Sequence, residues 1–183
     1  HYDVNNAVIP STRGNVKGWN ARNQQLTANS RKGPFDVVFV GDSITQGWEG
    51  RGKEVWNKYY GDKKALNLGI GGDRTEHVIW RLTANNQMGR KAKVAVVMIG
   101  TNNTGHFDQD PEEVADGVES ILDIMKKKRP ETKILLLGIF PRGRDEHDLK
   151  RLNNVMINQK IRRFADGERV HYLDLSNEFL EAD

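Results

Sequence analysis

Residues 36–45 read DVVFVGDSIT, a short apolar run that leads directly into a glycine, an aspartate and a serine. Four further apolar runs are bounded by turn residues in the same way: 65–68, 94–99, 134–139 and 170–175. Most of the runs are continuous in apolarity rather than alternating, which is typical of parallel strands that are covered on both faces. The pattern therefore predicts the strands of a buried parallel sheet.

The segments between these runs carry the helical period. Asp110 and Pro111 predict a cap and a first turn for a helix that ends before Pro130. A second apolar stripe is expected to face the core: Leu149, Leu152, Met156, Ile157, Ile161 and Phe164. Alternating strands and helices predict an α/β fold, a three-layer doubly wound parallel sheet of about five strands, with ligands at the carboxyl ends of the strands.

A chain of 183 residues fits a single domain. We expect an N-terminal arm over residues 1–33, rich in Asn, Arg and Gln and anchored by Trp19, followed by the main domain over residues 34–183.

Composition excludes several classes of protein. The 28 Lys and Arg residues against 25 Asp and Glu are scattered along the chain, so no nucleic-acid surface is predicted. No apolar stretch is long enough to span a membrane, and the absence of cysteine excludes disulfides and thiolate metal sites. We expect a soluble protein, and the start at His1 without a methionine leaves export after signal removal open.

Three polar, glycine-bearing loops follow the first three predicted strands: 41–45, 67–73 and 100–103. The carboxyl ends of parallel strands meet at one edge of a sheet, so these loops should converge there. An acyl-transfer site needs a nucleophile and oxyanion donors in such a place.

Each loop contributes one candidate, and each candidate has a plainer alternative. Ser43 at a strand-to-helix turn is a candidate nucleophile or a helix N-cap. Gly72 can bring its backbone N–H close to a ligand or form a simple turn. Asn102 can donate from its side-chain amide or close its own loop in an Asx-turn.

Two further interpretations remain. A divalent metal could be held by the oxygens of Asp42, Asp73 and Asn102. Phosphate could bind the glycines of 69–72, although this stretch matches neither of the common phosphate-binding motifs.

The three loops resemble the conserved blocks of the SGNH (GDSL-type) hydrolase family: GDSIT at 41–45, GIGGD at 69–73 and GTNN at 100–103. Residues 37–180 resemble more narrowly its platelet-activating factor acetylhydrolase catalytic subunits and bacterial acetylesterases, with PRG at 141–143 as a supporting match.

The resemblance implies a flavodoxin-like fold and a serine esterase without cofactor or metal. Ser43 would be the nucleophile, and the N–H groups of Ser43 and Gly72 with the Asn102 side chain would form the oxyanion hole. The expected substrate is a small-molecule or carbohydrate ester of a short acyl group, acetyl first.

In the family an Asp-x-x-His pair near the C-terminus completes the catalytic triad, and these 183 residues contain no such pair. We therefore expect the last loop and helix to be missing, activity to be weak, and an uncovered sheet face to favour a homo-oligomer. The alternative is a non-catalytic binding or scaffold module with the same fold.

The histidines present are weak substitutes for that base. His106 follows the 100–103 loop and lies on the expected edge. The other four lie elsewhere: His77 inside a helix, His147 in a polar loop, His171 at the start of a predicted buried strand and His1 on the arm.

Overall fold

The computed structural model describes residues 4–180, which form a five-stranded sheet flanked by helices. The strands are β1 (Val37–Gly41), β2 (Ala65–Gly69), β3 (Val94–Met98), β4 (Lys133–Leu137) and β5 (Val170–Leu173). Their order is β2-β1-β3-β4-β5 and every pairing is parallel. This confirms the doubly wound α/β prediction. His1 lies outside the described residues.

Seven helices occur in the described part of the chain: α1 (Trp19–Ser30), α2 (Ser43–Gln46), α3 (Lys53–Tyr60), α4 (Thr75–Ala84), α5 (Thr101–Phe107), α6 (Pro111–Lys128) and α7 (Leu149–Ile161). Asp110 caps α6 by accepting a hydrogen bond from the Glu112 N–H at 2.8 Å, as predicted. No helix among residues 4–180 is both long and apolar enough to cross a membrane.

The core lies on both faces of the central strands, which explains why their sequences do not alternate. On one face, Val38 and Val40 of β1 and Val97 of β3 are at most 1% exposed. On the other face, Phe39 of β1 is 8% exposed and packs against Trp56 of α3 with ring centroids 5.1 Å apart. On the helical side, α6 contributes Val118 and Ile121, which are fully buried. Burial on two faces is what a continuous apolar strand requires.

The predictions for the last strand and the last helix are partly wrong. His171 was expected in a buried strand, but β5 is the edge strand and His171 is exposed. Leu149, Leu152 and Met156 are 65%, 45% and 47% exposed, whereas Ile157 is fully buried. The reason is that α7 packs mainly against α6 and α5, so only a narrow stripe that includes Asn154 and Asn158 faces inward.

Trp19 fixes α1 to the loop that follows β2. The indole is 3% exposed and its Nε1–H donates to Asp73 Oδ1 at 2.8 Å. Its ring also packs on Trp80 of α4 with centroids 5.8 Å apart. The division of the chain at residue 33 stays a prediction.

A buried arginine joins the carboxyl ends of β1 and β2. Arg81 of α4 is 1% exposed, and its Nε lies 2.9 Å from Asp73 Oδ2. The same guanidinium donates to the carbonyl oxygens of Leu68 at 2.7 Å and Gly41 at 3.2 Å. Burial raises the pKa of Asp73, and the charge of Arg81 opposes that rise. The charged pair therefore holds two strand ends and one loop together.

We predict that Asp73→Asn destabilises the fold by about 3–5 kcal/mol, because it leaves the buried Arg81 charge without a partner. The matched control is Asp36→Asn, which breaks an exposed 3.4 Å ion pair with Lys93 and should leave stability nearly unchanged. Urea unfolding followed by circular dichroism measures both variants. Equal shifts in the two would contradict a special role for the buried pair.

Candidate active site

The loops after β1, β2 and β3 converge on one cavity of about 340 Å³ at the carboxyl edge of the sheet. Its lining comprises Ser43, Ile44, Gly72, Thr101, Asn102, His106, Phe140, Pro141 and Arg142. All three candidates from the sequence therefore face one space, while their chemical roles stay predictions.

Ser43 is the first residue of α2 and is exposed. The cap of this helix is Asp42, whose Oδ1 accepts a hydrogen bond from the Ile44 N–H at 3.0 Å. The alternative that Ser43 serves as the N-cap is therefore wrong. Within residues 4–180 its hydroxyl has no hydrogen-bond partner, so it is available to a ligand in the cavity.

Two glycines let α2 approach the sheet closely enough to present Ser43. A Cβ at Gly41 would lie 2.6 Å from the Met98 carbonyl oxygen, and one at Gly69 would lie 2.5 Å from the Gln46 nitrogen. Both distances are too short for a side chain. The glycines at the ends of β1 and β2 thus set the position of the serine.

The loop after β2 is held so that the N–H of Gly72 is unoccupied. The Gly71 N–H donates to Gln46 Oε1 at 2.7 Å, and the Gly71 carbonyl accepts from Arg13 Nη1 at 2.8 Å. Gly72 has φ +80°, a conformation that glycine adopts without strain. Among the described residues nothing accepts a hydrogen bond from its N–H, as an oxyanion donor requires.

Asn102 is 5% exposed, and its Nδ2 donates to the backbone oxygen of Asp73 at 2.9 Å. The contact crosses to the β2 loop, which argues against an Asx-turn within its own loop. An amide nitrogen carries two hydrogens, so the second N–H remains for a ligand. The neighbouring Asn103 is fully buried and bonds to Thr75 and Gln109, which gives it a structural role.

Two of the three candidate metal ligands, Asp73 and Asp42, already contact protein donors. Both carboxylate oxygens of Asp73 face cationic or N–H groups, those of Trp19 and Arg81. Asp42 caps α2, and burial raises its pKa to about 6, with the Asp73 charge adding to the rise. A divalent cation would have to displace these partners, so the geometry does not support a metal at this point.

His106 is the one histidine among residues 4–180 that lines the cavity. It lies in the last turn of α5, and its pKa is lowered by burial and by the charge of Arg142. His77 is 1% exposed, its Nδ1 accepts from the Arg74 N–H at 2.9 Å, and burial lowers its pKa to about 3. These contacts give His77 a structural role at the start of α4.

A fourth loop, after β4, contributes residues to which sequence reasoning gave no role in the site: Phe140, Pro141 and Arg142. Asn158 of α7 fixes its start, since it accepts from the Ile139 N–H at 2.7 Å and donates to the Ile139 oxygen at 2.9 Å. Asn154 donates to the Phe140 oxygen at 3.3 Å. The sequence signal that could have identified this loop is its position directly after a predicted buried strand, as for the other three loops.

Comparison with known proteins gives consistent matches along the chain. Residues 39–183 match the model of the GDSL-like lipase/acylhydrolase family. Platelet-activating factor acetylhydrolase IB subunit alpha1 from Bos taurus is 34% identical over 99% of this chain and 77% of its own length. The alpha2 subunit from Rattus norvegicus is 35% identical over 99% and 78%.

Solved structures share the fold. A GDSL-like lipase from Bacteroides thetaiotaomicron superposes with a TM-score of 0.70 at 18% identity, over 88% of this chain and 81% of that one. A catalytic mutant of an acetylxylan esterase from Geobacillus stearothermophilus gives a TM-score of 0.62 at 18% identity, over 79% and 78%. From the match over residues 39–183 and the identity to curated relatives, the chain belongs to the GDSL-like lipase/acylhydrolase family.

Proposed function

We propose that this protein is a serine esterase that hydrolyses short acyl esters, acetyl esters first, with Ser43 as the nucleophile. The observation that carries the proposal is the meeting of Ser43, Gly72 and Asn102 in one cavity, with a free hydroxyl and two unoccupied N–H groups. The acetyl preference is supported by relatives that are named acetylhydrolases.

The chemistry follows from these positions. Ser43 Oγ attacks the ester carbonyl carbon while a base takes the hydroxyl proton, and the carbonyl oxygen becomes an oxyanion. The N–H groups of Ser43 and Gly72 and the amide of Asn102 donate to that oxygen. When the tetrahedral intermediate collapses, the alcohol leaves with the proton, and water then releases the acyl group by the same steps.

The proposed mechanism requires a base next to Ser43. A serine hydroxyl is a weak nucleophile at neutral pH without an adjacent base. These 183 residues contain no Asp-x-x-His pair, and His106 is the histidine that the described structure places at the cavity. The same observation favours the second candidate function, a binding module that retains the pocket without turnover.

We predict that the 183-residue chain hydrolyses p-nitrophenyl acetate only feebly, because the oxyanion donors and binding alone supply about 10³- to 10⁴-fold over water. Appending a segment that carries Asp-x-x-His should raise kcat by several orders of magnitude. The rate should then increase as pH rises through about 6.5, since the base acts in its neutral form.

His106→Ala separates the two candidate bases in this assay. If His106 acts as the base, its lowered pKa places the rise of the rate below the usual histidine range, and the substitution abolishes turnover. Robust turnover by the unextended chain that His106→Ala removes would refute the Asp-x-x-His proposal. Ligand binding without turnover in both chains would favour the binding module.

We predict that a fluorophosphonate labels Ser43, the exposed hydroxyl that lines the cavity beside both proposed oxyanion donors, slowly in the 183-residue chain and rapidly once a segment with Asp-x-x-His is appended. Peptide mass spectrometry locates the adduct. Ser43→Ala should abolish the labelling, and Ser176→Ala, which lies outside this cavity, serves as the control. Undiminished labelling of Ser43→Ala would exclude Ser43 as the nucleophile.

We predict that Asn102→Ala lowers kcat of the active form by about 10²- to 10³-fold, the usual loss for one oxyanion donor. KM should change little, because the donor acts on charge that develops only in the transition state. Asn57→Ala on the exposed side of α3 is the matched control. A loss confined to KM would instead show that Asn102 binds the ground state.

A further inference from the structure

Arg142 lies on the wall of the Ser43 cavity with part of its guanidinium uncommitted. Its Nη1 donates to the Thr101 backbone oxygen at 3.1 Å and contacts Thr101 Oγ1 at 3.3 Å. Guanidinium carries five N–H donors, and within residues 4–180 neither Nε nor Nη2 has an acceptor. Arg142 therefore presents charge and hydrogen-bond donors to the cavity.

The position of this guanidinium is set from two sides. A Cβ at Gly105 of α5 would overlap Arg142 Nη1, so the glycine leaves room for the arginine. Glycine lowers the stability of a helix, so the space that the Arg142 guanidinium needs is a reason for a glycine at this position of α5. From the other side, the Arg142 carbonyl accepts a hydrogen bond from Arg151 Nε at 3.1 Å.

Charge balance distinguishes Arg142 from the arginines nearby. Arg13 lies 3.7 Å from the carboxylate of Asp73, and Arg74 lies 3.1 Å from that of Glu76. Arg142 has no carboxylate partner in the described part of the chain. Burial, and then the charges of Arg142, Arg13, Arg74 and Lys150, lower the pKa of His106, so four cationic side chains lie around this wall of the cavity.

We propose that Arg142 binds an anionic group of the substrate, a carboxylate or a phosphate, and so directs the enzyme to esters that carry negative charge near the scissile acyl group. A planar guanidinium with its Nε and Nη2 donors free matches the paired oxygens of either anion. The proposal rests on the proposed function, in which Ser43 and Arg142 share one substrate cavity.

The test measures binding, so that it does not depend on turnover. Ser43→Ala protein is titrated by ligand-observed NMR with phenyl acetate, 4-acetoxybenzoate and 4-acetoxyphenyl phosphate. We expect the anionic esters to bind about tenfold more tightly than phenyl acetate, as one charge-assisted contact predicts. The stronger of the two anionic ligands identifies the preferred group.

Four variants assign the effect to Arg142. Arg142→Gln should remove the preference for anions and leave phenyl acetate binding unchanged, whereas Arg142→Lys should retain part of it. Gly105→Ala should weaken the preference by displacing the guanidinium without changing the charge. Arg144→Gln, an equal change of charge on an exposed neighbour, should retain it.

Three outcomes would overturn the proposal. The Ser43→Ala protein could show no preference for the anionic esters, or Arg142→Gln could weaken the binding of all three ligands equally. The third is that Arg144→Gln reduces the anion preference as much as Arg142→Gln does. The second would show that Arg142 only supports Thr101. Absence of Ser43 labelling in the chain extended with Asp-x-x-His, together with an intact anion preference, would instead reject the esterase and leave the anion site supported.

Discussion

The buried ion pair between Arg81 and Asp73 is the contact on which the geometry of the fold and of the site both depend. Two charges removed from water are stable only if each is paired and hydrogen-bonded. Arg81 meets this condition through Asp73 and the carbonyls at the ends of β1 and β2. Those strand ends continue into the loops of Ser43 and Gly72. The ion pair at the sheet edge therefore also fixes the spacing between Ser43 and Gly72, the proposed nucleophile and one of the proposed oxyanion donors.

Asp73 extends the same constraint to the third loop. Its side chain binds Trp19 and Arg81, while its backbone oxygen receives the Asn102 amide. One of the two Asn102 N–H groups thus orients the side chain by binding the Asp73 oxygen, and the other is available to a ligand in the cavity. Preorganised donors of this kind need no rearrangement as charge develops, which is why they contribute strongly to catalysis. The arrangement links the N-terminal helix to the site through a single carboxylate.

The sequence predicted those parts of the protein that depend on local pattern. Continuous apolar runs gave the strands, Asp110 gave the start of α6, and glycine-bearing strand ends gave the three loops of the site. The sequence-based predictions were wrong where the structure depends on the position of a strand in the sheet or on polar contacts between residues far apart in the chain. Periodicity does not reveal that β5 is an edge strand, so His171 was misplaced. Nor does it reveal that α7 turns Asn154 and Asn158 inward, because their partners in the β4 loop are 14 and 19 residues away along the chain.

The cationic side chains around His106 bear on which group can act as the base. A histidine that takes the Ser43 proton becomes an imidazolium, which needs a carboxylate to stabilise it. His106 has no carboxylate hydrogen-bonded to it in the described structure, and the charges around it, led by Arg142, already oppose its protonation. The same field favours an anionic ligand and an oxyanion. In the proposed mechanism the described residues supply the groups that receive negative charge, and the base would be a histidine that is paired with its own aspartate, as in an Asp-x-x-His pair.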